Sequence, residues 1–333
     1  MKKYFSRLCG NKRAVSMIAP KIEKDIHSHA YIIEGPKGSG KHTLAREICK
    51  ALFCTGESSD TFPCEKCRFC RMTDEGINTD ICVLSREDRA TISVEATRGM
   101  LSTLNYAPDE GKYKVYIIDE ADRMTPPAQN ALLLSLEEPP SYVVFLLLCT
   151  DSAKLLETVR SRAVLIRTEL FGVDFTADWL RKQDAVIKSG VGEDEIMRAA
   201  KMSGGATGAA LEYLTNSSVK KLAEAAGQLC DCLCRSSLSQ RLACVSAMKY
   251  SRIEYEKLFS YTLNALRDLI AVKSGGSETL YYPDAGAAYA VCSRVKMKKL
   301  LCLYDAVDDA KRSICDMNAS APTVMFALAG TQF

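Results

Sequence analysis

Two stretches of this sequence carry side chains whose types and spacing can do chemistry. The first is Gly35-Pro-Lys-Gly-Ser-Gly40-Lys41, the Gly, four residues, Gly-Lys pattern of a P-loop. Gly35, Gly38 and Gly40 let backbone N–H groups turn inward around a phosphate, and Lys41 adds a point charge. A helix starting near Lys41 aims its positive end at the same anion. The motif normally continues with Ser or Thr, whose hydroxyl ligates Mg²⁺. Here that residue is His42, with Thr43 one place late. Mg²⁺ prefers oxygen, so His42 reads as structural, as does His29.

The second stretch is Cys54, Cys64, Cys67 and Cys70, spaced C-x₉-C-x₂-C-x₂-C. Three thiols at three-residue steps, with a fourth across a loop, can surround one tetrahedral Zn²⁺. Thr55, Ser58, Asp60 and Pro63 between them are loop formers. Four thiolates close the coordination sphere, so the expected role is structural. Cys230, Cys232 and Cys234 look similar but lie in a helical pattern, where i and i+2 point apart; they read as ordinary buried or half-buried residues.

Further groups gain meaning from the P-loop. Asp119-Glu120 ends an apolar run, VYII, as in a Walker B strand: the Asp can hold Mg²⁺ and the Glu can orient a water toward a γ-phosphate. Thr150 ends another apolar run and can hydrogen-bond nucleotide or water. Arg160 and Arg162 are surface arginines of an ordinary kind, or supply an arginine finger to a neighbouring subunit, which requires an oligomer. Lys66, Arg68 and Arg71 read as a solvated basic face.

The elements that position these groups follow from periodicity. Val15, Ile18 and Ile22 fall at helical spacing, with Pro20 expected to kink or interrupt the helix. Ala30–Glu34 reads as a strand, and Leu44, Ile48 and Leu52 as the inner face of a helix. Ile81–Leu84, Lys114 to Asp122, Val143–Cys149 and Ala163–Ile166 read as further strands. Ile92 to Leu104, Pro126 to Leu136 and Leu155 to Arg162 read as amphipathic or helical segments. Wholly apolar strands alternating with helices predict a parallel sheet covered on both faces, with ligands at the C-terminal strand ends.

From about Thr168 only helices are expected. Glu193–Tyr213 holds a tight turn at Gly204-Gly205. Tyr255 to Val272 puts Leu258, Leu263, Leu266, Leu269 and Ile270 on one face, with Lys257, Arg267 and Asp268 opposite. Ser274–Pro283 reads as a loop, followed by helices near Ala285–Val295 and Lys298–Ile314.

The 333-residue chain is 47% hydrophobic and 26% charged, as expected of a soluble protein of two or three domains. Its net charge of +3 is too weak to imply nucleic-acid binding by itself. No apolar run is long enough to span a bilayer and no signal peptide is read at the N-terminus, so no membrane association and a cytoplasmic location are expected. The fifteen cysteines are then reduced thiols, some of them metal ligands.

Together these motifs resemble the bacterial clamp-loader subunits of the AAA+ ATPase superfamily, and within DNA polymerase III they are most similar to the delta-prime type. The resemblance rests on SHAYIIEGPKGSGK (28–41), the four cysteines, VYIIDEADRM (115–124), QNALLLSLEEPP (129–140), LLLCTD (146–151) and VRSRA (159–163). The last third is similar only in helical character and in LRDLIAVK (266–273). The resemblance implies α/β followed by all-α: a RecA-like AAA+ domain with a zinc loop (1–167, the loop at 54–70), a helical lid (168–215) and a C-terminal helical collar (216–333).

It further implies a replication protein that joins gamma/tau- and delta-type subunits through the collar, with the sliding clamp and primed DNA as partners of the complex. Arg162 matches the family's trans-acting arginine. Two departures bear on hydrolysis: His42 stands at the Mg²⁺ hydroxyl position, and Gly208, within GGATGAAL, stands where the lid's sensor arginine is expected. The expectation is ATP binding with Mg²⁺ and weak or absent ATPase activity, Glu120 being vestigial. The alternatives are an active gamma/tau-type motor in which Thr43 supplies the hydroxyl, and a zinc-stabilised interaction module with vestigial ATP motifs.

Overall fold

The computed structural model describes residues 3–56, 60–86, 89–235, 237–317 and 319–331. Ser58, read above as a loop former, lies outside them. The chain divides into two compact units, Met1–Glu169 and Leu170–Phe333.

The first unit is built on strands β1 (Lys3–Tyr4), β2 (Ala30–Glu34), β3 (Thr61–Phe62), β4 (Ile81–Leu84), β5 (Lys114–Ile118), β6 (Val143–Cys149) and β7 (Val164–Arg167). Five of them form a parallel sheet in the order β4-β5-β6-β2-β7, and β1 pairs with β3 apart from it. The helices are α1 (Lys12–Glu23), α2 (Lys41–Phe53), α3 (Arg68–Glu75), α4 (Val94–Leu101), α5 (Pro126–Glu137) and α6 (Glu157–Arg160).

Strand side chains alternate between faces, and the result is two cores. Tyr31, Ile33, Val115, Val144, Leu146 and Leu148 pack with Ile18, Leu44, Ile48 and Leu52 of α1 and α2. Ala30, Ile32, Tyr116, Ile118, Phe145 and Leu147 pack on the opposite face with Ala128, Leu132 and Leu136 of α5. This covering explains why the strands read as unbroken apolar runs. Helix α5 starts on Thr125, whose side chain accepts the Ala128 N–H, with prolines in the first two helical positions, where a missing N–H is harmless.

The second unit is wholly helical: α7 (Val173–Leu180), α8 (Asp184–Ser189), α9 (Glu193–Met202), α10 (Thr207–Thr215), α11 (Ser217–Arg235), α12 (Leu238–Ala247), α13 (Arg252–Lys273), α14 (Ala285–Cys292), α15 (Met297–Cys315) and α16 (Ala321–Gly330). One apolar cluster runs from Ala177 through Leu258 and Leu303 to Ala329. Gly204 and Gly205, at φ +57 and +90, make the turn between α9 and α10. Cys230 and Cys234 are buried and Cys232 half-buried on α11. Periodicity leaves α7, α8, α12 and α16 without separate assignments and gives only the Cys230–Cys234 stretch of α11.

Two sequence expectations need correction. Helix α1 is not interrupted at Pro20 but runs on to Glu23; proline removes one helical hydrogen bond, and Pro20 stands in the last turn, where little helix remains to be disrupted. Asp268, expected on the polar face of α13, is fully buried. Its carboxylate accepts backbone N–H groups from Leu280 (2.9 Å), Tyr281 (2.7 Å) and Tyr282 (3.0 Å), pinning the 274–283 loop to the helix. Helical periodicity places a residue on a face but says nothing of a loop returning across it.

Candidate nucleotide and metal sites

The glycine-rich loop leaves the C-terminal end of β2, an inner strand between β6 and β7. A Cβ on Gly35 would lie 1.8 Å from Thr168 Oγ1 and 2.7 Å from Ser39 Oγ, so only glycine fits there. Gly38 (φ +77) and Gly40 (φ +92) adopt the left-handed backbone that glycine permits, and Gly40 leads into α2. Ser39 Oγ and Thr168 Oγ1, 2.7 Å apart, tie the loop to the end of β7.

Lys41 is buried, and its ammonium donates to the carbonyls of Gly35 (2.5 Å) and Pro36 (2.9 Å). Burial pushes its pKa down, against the pull of Asp122, Cys149 and Asp119. A turn of this shape at the start of a 13-residue helix can cradle an anion with main-chain donors.

Asp119 and Glu120 follow β5, two strands away, at the same edge of the sheet. His42 Nε2 lies 3.3 Å from Asp119 Oδ1, so the imidazole bridges the start of α2 to the Walker B acid. Thr43 is on α2 one residue further, rotated by about 100°. Glu120 sits in left-handed backbone (φ +52). Its carboxylate is paired with Arg86 and lies 3.5 Å from Lys37 Nζ. Burial alone would raise the Glu120 pKa; the hydrogen bond from Arg86 and the charges of Lys37 and Arg86 outweigh it and hold it below the usual carboxylate range.

Arg86 is buried, just past the end of β4, and also donates to the Arg89 carbonyl at 3.1 Å. Sequence reasoning missed it. The signal available was a basic residue beyond a strand that pairs with the acid-bearing one. Thr150 hydrogen-bonds Asp122 through both its hydroxyl and its N–H.

His29 serves the fold, its Nε2–H donating to the Leu136 carbonyl at 3.0 Å. Arg162 Nη2 lies 2.6 Å from Glu137 of its own chain. In the second unit Gly208 falls in the first turn of α10, a helix without Lys or Arg.

The four cysteines converge at the other end of α2. Their sulfurs all lie within 4.8 Å of one another; four sulfurs at Zn–S distance around one tetrahedral ion lie ~3.8 Å apart. Cys54 directly follows α2, and Cys67 precedes α3, whose first turn carries Cys70. Backbone N–H groups of Cys64 and Cys67 donate to the sulfurs of Cys54 and Cys64, each at 3.3 Å. The Cys70 thiol hydrogen-bonds Cys54, which brings the Cys54 pKa down to about 5 and raises that of Cys70. The donor set fits one thiophilic metal ion, with no position left open.

A buried ion cluster tethers this loop to α2. Lys50, fully buried, lies 2.5 Å from Glu47, 2.8 Å from Glu65 and 3.4 Å from Asp74. Arg7 closes it from outside, 3.0 Å from Glu65 and 2.7 Å from Asp74. Of the basic residues near the loop, Arg68 pairs with Glu110 at 2.8 Å. Among the described residues no helix is long and apolar enough to cross a membrane.

Residues 10–171, just under half the chain, match a family model described as DNA polymerase III, delta subunit. The chain is 32% identical over 193 residues to the DNA polymerase III subunit gamma of Buchnera aphidicola subsp. Acyrthosiphon pisum, covering 58% of this chain and 52% of that one. It is 35% identical over 170 residues to the subunit tau of Escherichia coli K12, covering 51% of this chain and 26% of that one. It thus spans about half the length, or less, of these relatives. A solved DNA polymerase III gamma subunit-related protein from Thermotoga maritima is 17% identical, with 94% of this chain and 96% of that one covered and a TM-score of 0.46. With its parallel five-stranded sheet, glycine-rich loop and paired acids, the first unit has a RecA-like AAA+ fold, similar to the DNA polymerase III delta subunit by its family match and to the gamma and tau subunits by sequence.

Proposed function

We propose that this chain is a non-motor, delta-prime-type subunit of a DNA polymerase III clamp loader, working in the cytoplasm to help place a sliding clamp on primed DNA. The observation that carries the reading is His42 against Asp119. A nitrogen ligand occupies the helix position from which a hydroxyl oxygen would reach Mg²⁺, and it engages the acid that would share the ion. Gly35, Gly38, Gly40, Lys41, His42 and Thr43 hold ATP mainly through main-chain donors and the Lys41 charge, with Asp119 and Thr150 at the rim. Glu120, held by Arg86, is unavailable to orient water, and Gly208 gives the lid no cation for the γ-phosphate. Losing such charge stabilisation costs phosphoryl transfer several kcal/mol.

In this reading Arg162 acts in trans on an adjacent ATPase subunit. The division into AAA+ domain (1–167), lid (168–215) and collar (216–333) follows, with the collar as the assembly surface for gamma/tau- and delta-type subunits. Zinc on Cys54, Cys64, Cys67 and Cys70 supplies a closed crosslink and no reactive position.

The test is ATP hydrolysis by the purified chain with primed DNA. Turnover at background level, unchanged by Lys41→Ala, is expected, while Arg162→Ala leaves assembly intact and slows turnover by the assembled complex. A second reading, a gamma/tau-type motor, is favoured by the gamma and tau relatives. It requires steady turnover by the chain alone that Lys41→Ala abolishes.

A further inference from the structure

Arg162 is not free at the surface. Nη2 pairs with Glu137 at 2.6 Å, and Nη1 donates to the Thr158 carbonyl (2.9 Å) and to Ser161 Oγ (3.2 Å). Three acceptors of its own chain thus fold the guanidinium back toward α6, which ends two residues before it. Glu137 is the last residue of α5. A carboxylate at a helix C-terminus faces the negative end of the helix dipole, so a nearby cation relieves a local repulsion as well as making an ion pair. Both side chains are partly exposed, at 33% for Arg162 and 45% for Glu137. A pair in that position biases an equilibrium by up to about fivefold, enough to favour one arginine conformer and cheap to break.

We propose that Glu137 is a gate on Arg162. It holds the guanidinium against the parent subunit and has to release it before Arg162 can meet a neighbour's γ-phosphate. The phosphate and Glu137 then compete for the same N–H edge. This inference rests on Arg162 being a trans-acting finger, and Glu137 is a positioning residue within that scheme.

Two measurements test it. In the isolated chain, the Arg162 Nε–Hε NMR resonance should show restricted guanidinium rotation that Glu137→Gln removes and Glu137→Asp partly retains. In the complex purified with its ATPase neighbours, Glu137→Gln should raise kcat for ATP about two- to fivefold. The KM for ATP and the melting temperature should stay as in the parent, and Glu137→Asp should behave close to it. If Arg162→Ala lowers turnover while Glu137→Gln leaves kcat unchanged or lowers it, the gate is wrong and the finger stands. If Arg162→Ala has no effect, the finger reading falls and takes the gate with it.

Discussion

The loop that enters α2 and the loop that leaves it recruit different parts of the chain. Residues 35–40 form a glycine-rich turn at the start of α2, so the side chains there matter chiefly by being absent: a Cβ on Gly35 would overlap Thr168. Residues 54–70 present four sulfurs, so the intervening residues are free to vary except where the wrap is tight. Gly56 is such a place, since a Cβ there would lie 2.3 Å from Cys64 Sγ. The first loop is held by the sheet on either side of it, through the Gly35 N–H to the Cys149 carbonyl (3.1 Å) and the Thr168 N–H to the Glu34 carbonyl (2.8 Å). The second lies outside the main sheet, pairing only β1 with β3, and depends on the thiol cluster and on Lys50. A donor set made of backbone inherits rigidity from the sheet; one made of side chains has to be anchored separately.

That contrast orders the expected effects of breaking each part. Cys70→Ser, or exhaustive chelation, should remove about one metal ion per chain, by the four-ligand count. It should also lower the melting temperature by more than about 10 °C, at about 2–4 °C per kcal/mol for domains of this size. Metal analysis with calorimetry checks this, and an unchanged melting curve would mean that the loop stands without metal.

Next comes Lys50→Met, which leaves Glu47, Glu65 and Asp74 facing one another with Lys50 gone. Breaking a buried ion cluster costs about 3–5 kcal/mol. If the cluster and the metal anchor one loop, the Lys50→Met and Cys70→Ser losses should add to less than their sum in denaturant titrations. Full additivity would separate them.

Gly35→Ala should act on the other end of α2. The overlap with Thr168 costs about 1–3 kcal/mol and displaces the loop, so a fluorescent ATP analogue should lose affinity at least tenfold while metal content stays unchanged. Retained affinity would show that the loop is not the nucleotide cradle.

The smallest effect expected is in the pH profile. Burial tends to raise the Glu34 pKa, but Arg167 (2.7 Å) and the Ser152 N–H (3.1 Å) more than offset it and leave it lowered. A carboxyl lowered on folding stabilises fully above its unfolded pKa, about 4.3. It loses that contribution as pH falls through the folded value. Glu34→Gln should therefore flatten the acid limb of the stability curve below about pH 4.3 and cost little once the pH lies below the folded value. A parallel offset at every pH would contradict it.

The P-loop, the Walker B acids, the cysteine spacing and the strands of the main sheet were legible from sequence because each is a local pattern, read within a short stretch of neighbouring residues. What side chains do across the fold was not. Asp80 is a buried acid that accepts N–H groups from Asp109 (2.6 Å), Glu110 (3.1 Å) and Gly111 (2.8 Å). It does for the 109–111 turn what Asp268 does for the 274–283 loop, and neither anchor shows in the periodicity of its own segment.

By itself, then, the sequence determined the residue types, their local spacing and the alternation that builds a two-faced parallel sheet. Only the tertiary structure decided that Arg86 neutralises Glu120, that Lys50 binds the metal loop to α2, and that Glu137 holds Arg162. Those pairs are brought together by strand order and by chain returning from 15 to 34 residues away. Coulomb attraction and hydrogen bonding depend on distance in space, to which position along the chain is a poor guide.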